Sequence, residues 1–494
     1  MLMKYLILFS VLVGFNTCTN EKKQESAADV QLFSENLKTL KDYFFIPGMA
    51  AIVKKGDQIL FEEYLGEKDV VGNKVVDSNT IFPIASITKV FSAALLFQLE
   101  EEGQLQLIDP INQYLPDLEI PDSIQIQHVL SHTSQGELGK QFYYSFRFSW
   151  LTMVIEKASG RSFKALMQEK IFDEIGLEDT YFVFDTKSIK SFEKDLAQPY
   201  LFDQEIQAGQ VEYGISASAG MASTAMDLLK FDEALRSGKL ISNASFEKIT
   251  APFTNHSPYG LGVFSQIIAD EEVLWSYGQY DCYSSLYINV PEEDLTLVLL
   301  ANNNLMSDPA RLIYGDISYS LFAWNFLNQF VLNAPREIWQ KPEQINQDLL
   351  ATSTYYRDQL LAQSLAASFM SRFDTDQMKI STAILAQVFK AYPELERYAD
   401  LSLLHNLTFL KDVAFYMELE ENTQFDEQIV ELGEYLLSID SDNPYANIYL
   451  ATFYDRKGKK ATARKYFEKI VSAPNFSPFW YTKEAQAWLI QHPK

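Results

Sequence analysis

Apolar residues in the first part of the chain form short runs that are typical of β-strands. Residues 49–54 and 58–64 are two such runs, and the Lys-Gly-Asp sequence between them is a turn signal, so the pattern predicts a β-hairpin. Strand signals return at Leu274, at 284–290 and at 295–301, with a Pro-Glu-Glu-Asp turn between the last two.

Between these two groups of strands, the hydrophobic spacing changes to that of helices. From Ser86, apolar residues follow one another at a helical period through Leu95, and Gly103 ends the run. A mostly helical, loop-rich stretch continues to about Leu240. Strands at both ends with helices between them predict an α+β fold, in which one antiparallel sheet is flanked by helices and carries an inserted helical lobe.

The pattern changes again beyond Pro335, where glycine becomes scarce and amphipathic helices follow one another. Residues 444–475 resemble a tetratricopeptide repeat, and 414–441 resemble a degenerate copy, although any helical hairpin with small residues at the crossing has a similar pattern. The positions that carry the resemblance are Ala451, Tyr454, Gly458, Ala463, Phe467 and Pro474. We therefore predict a first folded domain at 32–334 and an all-α helical-repeat domain at 335–494.

The first residues resemble an export signal. Lys4 precedes an apolar run at 6–13 that is too short to span a bilayer, and the sequence ending at Cys18 resembles a lipoprotein cleavage box. We expect a signal peptide at 1–17, lipidation of Cys18 and a polar tether at 18–31, which would anchor an exported protein to the bacterial cell envelope. The alternative is plain secretion with Cys18 removed. The other cysteine is Cys282, so no intramolecular disulfide is expected in a lipidated chain.

Composition and charge exclude several classes of function. The chain of 494 residues is 47% hydrophobic, which excludes global disorder, and its formal net charge of −25 argues against a nucleic-acid partner. The sequence has no histidine-carboxylate cluster with metal-ligand spacing, no phosphate loop and no dinucleotide fingerprint. We expect no cofactor.

Candidate chemistry centres on a Ser-x-x-Lys sequence at Ser86 and Lys89. In a helix these two residues share a face, so the lysine can reach the hydroxyl and act as its base if burial lowers the lysine pKa. Two further matches begin at Ser191 and Ser245, but both lie in charged or turn-like sequence. Only the match at Ser86 opens a long apolar helix; its alternative role is that of a helix-capping serine.

The surroundings of Ser86 resemble a known family. Residues 80–89 are similar to the nucleophile segment of class C β-lactamases and of related esterases and D-aminopeptidases. Four other segments, at 47–50, 130–134, 143–160 and 219–224, resemble landmarks of that family in the same order. The resemblance implies a β-lactamase/transpeptidase-like fold over about 45–303 and catalysis through an acyl-enzyme.

The resemblance also implies roles for further residues. Tyr143 would be the second proton-transfer group beside Lys89, and Ser145 stands where the family has asparagine. The family's Lys-Thr-Gly or His-x-Gly strand corresponds to residues 275–278, where Ser276 replaces the usual cation. The residues that would contact substrate are Ser145, Ser276, Tyr277, Gly278 and Gln279. The backbone N–H of Gln279 and that of Ser86 would form the oxyanion hole. We interpret His132 as a structural loop residue.

The sequence thus predicts an exported serine hydrolase that acts on a small ester, amide or peptide. Because Ser276 carries no charge, we expect neutral esters to be better substrates than carboxylate-bearing ones. Two alternatives remain open. One is a catalytically inactive binding protein of the same fold, and the other is a scaffold whose C-terminal helices bind a protein partner.

Overall fold

The predicted hairpin lies inside an antiparallel sheet of seven strands. The computed structural model describes residues 27–493 apart from 119, 184–188, 256, 420–422, 474–475 and 477–478. The predicted signal peptide, Cys18 and Pro474 lie outside the described residues. The strands are β1 (Gly48–Lys55), β2 (Gln58–Asp69), β3 (Lys74–Val75), β4 (Phe82–Pro83), β5 (Tyr181–Phe182), β6 (Tyr200–Asp203), β7 (Glu205–Ala208), β8 (Met221–Ser223), β9 (Phe264–Ile268), β10 (Glu271–Tyr280), β11 (Tyr283–Val290) and β12 (Leu295–Ala301).

The main sheet has the strand order β3-β2-β1-β12-β11-β10-β9. The N-terminal hairpin β1–β2 joins the C-terminal strands through antiparallel pairing of β1 with β12, in which Met49 lies opposite Ala301 and Lys55 opposite Leu295. Strands that are far apart in sequence therefore form one sheet, as the pattern of strand signals predicts. The α+β fold class is confirmed.

Helices cover both faces of this sheet, and further helices form the C-terminal region. They are α1 (Ala27–Tyr43), α2 (Thr88–Glu101), α3 (Ile126–Leu130), α4 (Trp150–Ser159), α5 (Phe163–Met167), α6 (Asp173–Ile175), α7 (Ala225–Arg236), α8 (Asn243–Thr250), α9 (Leu321–Phe326), α10 (Gln347–Thr352), α11 (Thr354–Met370), α12 (Asp376–Ala391), α13 (Leu401–Tyr416), α14 (Asp426–Ile439), α15 (Pro444–Arg456), α16 (Lys460–Ser472) and α17 (Trp480–Gln491). Among the described residues, no helix is long and apolar enough to cross a membrane.

The two faces of the sheet bury two separate cores, because side chains alternate along a strand. In β1, Ala50 and Ile52 pack into the core that holds α2 and the inserted lobe. Met49, Ala51 and Val53 point the other way, into the core formed with α1, α9 and α11. The first of these cores fixes the position of α2 against the sheet, and thereby the position of the residues at its start.

The C-terminal region is helical, as predicted, but its first long helix also belongs to the sheet. Ala362, Ala366 and Phe369 of α11 pack into the core beneath the sheet. Leu361 and Leu365 of the same helix pack into the core of the C-terminal helices. The predicted boundary at 334/335 therefore has a shared helix on its C-terminal side.

Residues assigned to the repeat form a helical hairpin. The helices α15 and α16 are joined at Gly458, whose φ of +70° is a left-handed conformation that glycine adopts readily. Ala451 and Ala463 are completely buried, and Phe467 is 1% exposed. This geometry fits the predicted repeat, whose identification as a tetratricopeptide repeat stays a prediction.

Candidate active site

Ser86 is the least buried residue in the segment that leads into α2. Every other residue from 80 to 97 is buried, whereas Ser86 is half-exposed. It occupies the middle of a single 3-10 turn, Ala85–Ile87, directly before α2 begins. Ala85 has a φ of +45°, a strained conformation for a residue with a side chain. The backbone thus holds the Ser86 hydroxyl out of an otherwise apolar core.

Lys89 lies one turn further along and contacts the hydroxyl directly. Its Nζ donates hydrogen bonds to Ser86 Oγ at 2.8 Å and to the Ser218 carbonyl oxygen at 3.2 Å. Nζ also lies 4.8 Å from the ring centre of Tyr144 and 5.5 Å from that of Phe148. No carboxylate is among these partners, and burial lowers the pKa of Lys89 to about 7. Near neutral pH, a large fraction of this amine is therefore unprotonated and able to take a proton.

The tyrosine that contacts Ser86 is Tyr144. The structure therefore corrects the prediction that Tyr143 is the proton-transfer group beside Lys89. Tyr144 hydrogen-bonds with the Ser86 side chain, which opposes the rise in its pKa that burial causes. The Tyr143 hydroxyl instead donates to the carboxylate of Asp440, and its ring lies 4.9 Å from that of Phe476. Successive side chains of an extended segment point in opposite directions, so only one of two adjacent tyrosines can face Ser86.

His132 supports the Tyr144 segment from behind. It is 1% exposed, and its ring stacks on Tyr144 with centres 4.4 Å apart. Its Nδ1 accepts a hydrogen bond from the backbone N–H of Ser145 at 3.0 Å. Burial, with a smaller contribution from Lys89, holds the pKa of His132 well below its usual value, so the imidazole is neutral. These contacts agree with the structural role predicted for this histidine.

Strand β10 passes beside the Ser86 turn at Gly278. A Cβ atom on Gly278 would lie 2.0 Å from the carbonyl oxygen of Ile84, so no larger residue fits without moving the strand. Neighbouring β9 pairs with β10 only as far as Trp275, which leaves the following residues of this edge without a strand partner among the described strands. Gln279 lies on this free edge and lines the same cavity as Ser86.

The other predicted substrate contacts divide into two groups. Tyr277 lines the cavity, with its ring centre 5.9 Å from that of Tyr144. Ser276 is 4% exposed, and its side chain lies on the face of β10 opposite to that of Tyr277. This is the face on which a Cβ atom of Gly278 would meet Ile84. The Ser145 side chain is also buried and accepts a hydrogen bond from the backbone N–H of Arg147. Ser145, Ser276 and Gly278 are not among the residues that line the cavity.

Ser86 opens into a cavity of about 600 Å³, a size that suits a small organic ligand. Its near wall comes from β10 and the Tyr144 segment. Its far wall comes from the C-terminal helices α13, α15 and α17, which contribute His405, Phe409, Tyr445, Ile448, Tyr449 and Trp480. Sequence reasoning missed these residues, because no local pattern shows that helices after residue 400 pack against a turn at residue 86.

The cavity contains a cation, although Ser276 occupies the strand position where the resemblance predicts one. Arg311 lines it, donates from Nη1 to Asp308 at 3.0 Å and from Nε to His405 Nε2 at 3.0 Å. Burial is the largest influence and disfavours the charged guanidinium, but Asp308 together with the neighbouring tyrosines outweighs it and leaves the pKa of Arg311 raised. Burial also holds the pKa of His405 far below its usual value, which agrees with a neutral ring that accepts at Nε2. The cavity therefore contains one paired guanidinium, which the sequence analysis did not foresee.

Across the described ranges, no group of three or more His, Cys, Asp or Glu side chains is arranged to hold a metal ion. The side chains in contact with Ser86 supply an amine and a phenol. This set suits nucleophilic attack by a hydroxyl on a carbonyl carbon, with proton transfer by neighbouring side chains.

Comparison with known proteins agrees with this geometry. The β-lactamase family model matches residues 37–317, which is more than half of the chain. A putative penicillin-binding protein of Bacillus subtilis, PbpX, is 26% identical over 50% of this chain and 71% of its own length. A second penicillin-binding protein of the same organism is 22% identical over 76% of this chain and 94% of its own.

Solved structures share the fold. The octameric penicillin-binding protein homologue from Pyrococcus abyssi superposes with a TM-score of 0.56 at 21% identity, over 68% of this chain and 82% of that one. This likeness shows the fold, and the family model together with the relatives shows the family. The chain belongs to the β-lactamase family of serine hydrolases.

Proposed function

We propose that the chain is an exported hydrolase in which Ser86 forms an acyl-enzyme with small neutral esters, amides or peptides. One observation carries the proposal: a buried lysine with a pKa of about 7 lies 2.8 Å from a serine hydroxyl that opens into a ligand-sized cavity. A serine hydroxyl needs such a base, because it is a weak nucleophile while protonated.

In the proposed first step, Ser86 Oγ forms a bond to the carbonyl carbon as its proton passes to the unprotonated Lys89 amine. The carbonyl oxygen gains negative charge, which the backbone N–H groups of Ser86 and Gln279 stabilise. The bond to the leaving group then breaks, and the leaving group takes a proton through the Tyr144 hydroxyl. Burial raises the pKa of Tyr144, so it acts as a neutral relay between Lys89 and the substrate.

Deacylation repeats these transfers with water in place of the leaving group. A water molecule loses a proton to the Tyr144–Lys89 pair and attacks the acyl carbon, and Ser86 recovers its proton as the ester bond breaks. Tyr144 and Lys89 therefore end each cycle in the protonation states in which they began.

Neutral substrates are favoured by the charges around the cavity. Ser276 provides no cation, and the guanidinium of Arg311 is already paired with Asp308 at 3.0 Å. A substrate carboxylate would compete with Asp308 for this group, whereas a neutral ester requires only the backbone donors.

The sequence features before the described residues support export and attachment to the cell envelope. Lys4 and the apolar run at 6–13 favour a signal peptide, and Cys18 favours a lipid anchor. A lipid on Cys18 would hold the hydrolase at a membrane surface through the tether.

Covalent labelling tests the proposed activity. Wild-type protein, Ser86→Ala and Ser191→Ala are treated with a fluorophosphonate, and the labelled peptide is identified by mass spectrometry. Ser191 begins another Ser-x-x-Lys sequence and is exposed, which makes it a matched control. We expect an adduct on Ser86 in the wild type and in Ser191→Ala, and none in Ser86→Ala. An adduct on another serine, or no adduct on folded protein, contradicts the proposal and favours the inactive binding protein.

A further inference from the structure

Aromatic rings of the C-terminal helices, together with the ring of Tyr314, form much of the far side of the Ser86 cavity, beside Ile448 and Thr452. The Tyr314 ring lies 5.0 Å from that of Tyr445, which in turn lies 6.4 Å from Trp480. A second group of rings comprises His405 and Tyr449, whose ring centres lie 5.1 Å apart. Tyr449 and Tyr314 also hydrogen-bond through their hydroxyls, which joins the two groups of rings into one surface.

Rings also line the near wall, next to the nucleophile. Tyr144 contacts Ser86 and lies 5.9 Å from Tyr277. Phe146 packs edge-on against Phe479 of the C-terminal region at 5.1 Å. A flat group bound to the serine would therefore have π faces or ring edges on both sides.

Charges in the cavity lining are mostly compensated by partners of opposite sign. Arg311 pairs with Asp308, and Asp412 of the lining pairs with Arg456. The two further carboxylates of the lining belong to the exposed residues Asp281 and Glu484. The interior of the cavity thus offers π surface rather than an unpaired charge.

We propose that the rings of the C-terminal helices, together with Tyr314, form a subsite for an aromatic group of the substrate. The inference rests on the proposed function at Ser86 and assigns its substrate class: neutral esters or amides with an aromatic ring near the scissile bond. Aromatic pairs in offset or edge-to-face contact are stabilised beyond the burial of their area, which corresponds to about 2- to 13-fold in affinity for each contact. In this family member, the C-terminal helices are the part of the chain that selects the substrate.

Matched substrate pairs separate an aromatic preference from a preference for bulk. Methyl phenylacetate is compared with methyl cyclohexylacetate, and benzyl acetate with cyclohexylmethyl acetate, by proton release on wild-type protein. Methyl acetate gives the basal activity of the Ser86 machinery. We expect kcat/KM to favour the aromatic member of at least one pair by about 5-fold or more. Equal kcat/KM within both pairs, with methyl acetate turned over, overturns the subsite and leaves the proposed function intact.

Variants on the two helices α15 and α17 then locate the preference. Tyr449→Leu removes a ring from the cavity wall, and Tyr449→Phe keeps the ring but loses its hydroxyl. Trp480→Leu removes a second ring, from a side chain that is 40% exposed. Tyr454→Leu is the matched control, because Tyr454 lies on the same helix as Tyr449 and stacks on Tyr466, outside the cavity. We expect the aromatic-to-cyclohexyl ratio to fall about 2- to 13-fold in Tyr449→Leu and Trp480→Leu, and to stay unchanged in the other two. An equal fall in Tyr454→Leu overturns the assignment.

Binding to Ser86→Ala protein makes the subsite testable without turnover. Isothermal titration calorimetry compares methyl phenylacetate with methyl cyclohexylacetate on this variant. Tighter binding of the aromatic ester supports the subsite even if Ser86 proves unreactive in the labelling experiment. Equal affinity of the two esters, or no binding of either, contradicts it.

Discussion

The hydroxyl of Tyr143 donates a hydrogen bond to the carboxylate of Asp440, across 297 positions of the sequence. Tyr143 is 2% exposed and immediately precedes Tyr144, whereas Asp440 ends the α14 helix and precedes α15. The bond therefore ties the segment that presents Tyr144 to the helices that form the far wall of the cavity. It also explains why Tyr143 faces away from Ser86.

The two neighbouring tyrosines should respond differently to loss of the hydroxyl. Tyr144→Phe should lower kcat for a small ester by about 10²- to 10⁴-fold, because it removes a proton-transfer group. Tyr143→Phe should lower kcat by less than about 10-fold, because it removes only a contact with Asp440. Both rates are measured on methyl acetate, with circular dichroism to confirm folding. A larger loss in Tyr143→Phe would restore the role that the family resemblance implied for that residue.

Acylation should depend on pH through Lys89. Its pKa is lowered to about 7, and the unprotonated amine is the active form, so the rate should rise about 10-fold from pH 6 to pH 8. Stopped-flow labelling of Ser86 by a fluorophosphonate measures this rate. Lys89→Met should be slow and independent of pH in that range. A rate that falls with rising pH is incompatible with a lysine base.

The lowered pKa of Lys89 also predicts how the free energy of unfolding changes with pH. The unfolded chain holds a proton on Lys89 up to about pH 10.5, whereas the folded chain loses it near 7. Between these values the unfolded state binds more protons, so the Lys89 contribution to the free energy of unfolding rises with pH. In Lys89→Met, urea unfolding at pH 7 and pH 9 should show a smaller rise than in the wild type. An equal rise in both proteins would mean that Lys89 is not buried in its uncharged form.

Gly278 should be needed for the oxyanion hole. Gly278→Ala places a methyl group 2.0 Å from the Ile84 carbonyl oxygen, which forces β10 away from the Ser86 turn. Loss of one oxyanion donor lowers kcat by about 10²- to 10³-fold, and we expect a loss of this size. Gly214→Ala is the control, because its Cβ would meet no atom within 4 Å. Full activity of Gly278→Ala would show that Gln279 does not supply the donor.

Asp440 should stabilise the fold through Tyr143. Asp440→Ala leaves a buried hydroxyl without its partner, which should lower the free energy of unfolding by about 1–3 kcal/mol. Urea unfolding measures the change, and Asp440→Asn, which keeps an acceptor oxygen, should lose less. In a Tyr143→Phe background the effect of Asp440→Ala should be smaller. Simple additivity of the two substitutions contradicts a direct bond.

Cys18 should control membrane attachment. Cys18→Ser should move the protein from the membrane fraction to the soluble fraction, because no lipid can be attached. Cys282→Ser, which changes the other cysteine, should stay in the membrane fraction. Immunoblots of fractionated cells give the result. Retention of Cys18→Ser on membranes would show that another feature anchors the chain.

The nucleophile and its base could be predicted from sequence because their contact is local. Ser86 and Lys89 are three residues apart, and the fixed geometry of a helical turn brings them together. Gly278 is identified through the resemblance to the family's strand, and the structure adds the physical reason, because the backbone of Ile84 leaves room only for glycine. The choice between Tyr143 and Tyr144 could not be predicted from sequence. In a non-helical segment, which side chain faces Ser86 depends on the partners of each, here Asp440 for Tyr143 and His132 for Tyr144.

The far wall of the cavity has no local signal at all. Tyr445 and Tyr449 occupy positions of a helical hairpin where aromatic residues ordinarily fill a core, and nothing in their spacing points to residue 86. The sequence therefore predicts the C-terminal helices only as a separate helical-repeat domain, with partner binding as an alternative function. Their contribution to the Ser86 cavity depends on packing between elements more than 300 residues apart.

The dual packing of α11 has a consequence for cooperativity. Because one face of this helix completes the core under the sheet and the other face begins the helical core, neither half can melt without exposing apolar surface of the other. We expect calorimetry to record a single heat-absorption peak for the whole chain. A fragment ending at residue 334 should aggregate, since the core under the sheet would lose the apolar cover that Ala362, Ala366 and Phe369 of α11 provide. The hydrolase half should therefore stay soluble only when the helical half is present, so the two halves would have to be kept together in one gene.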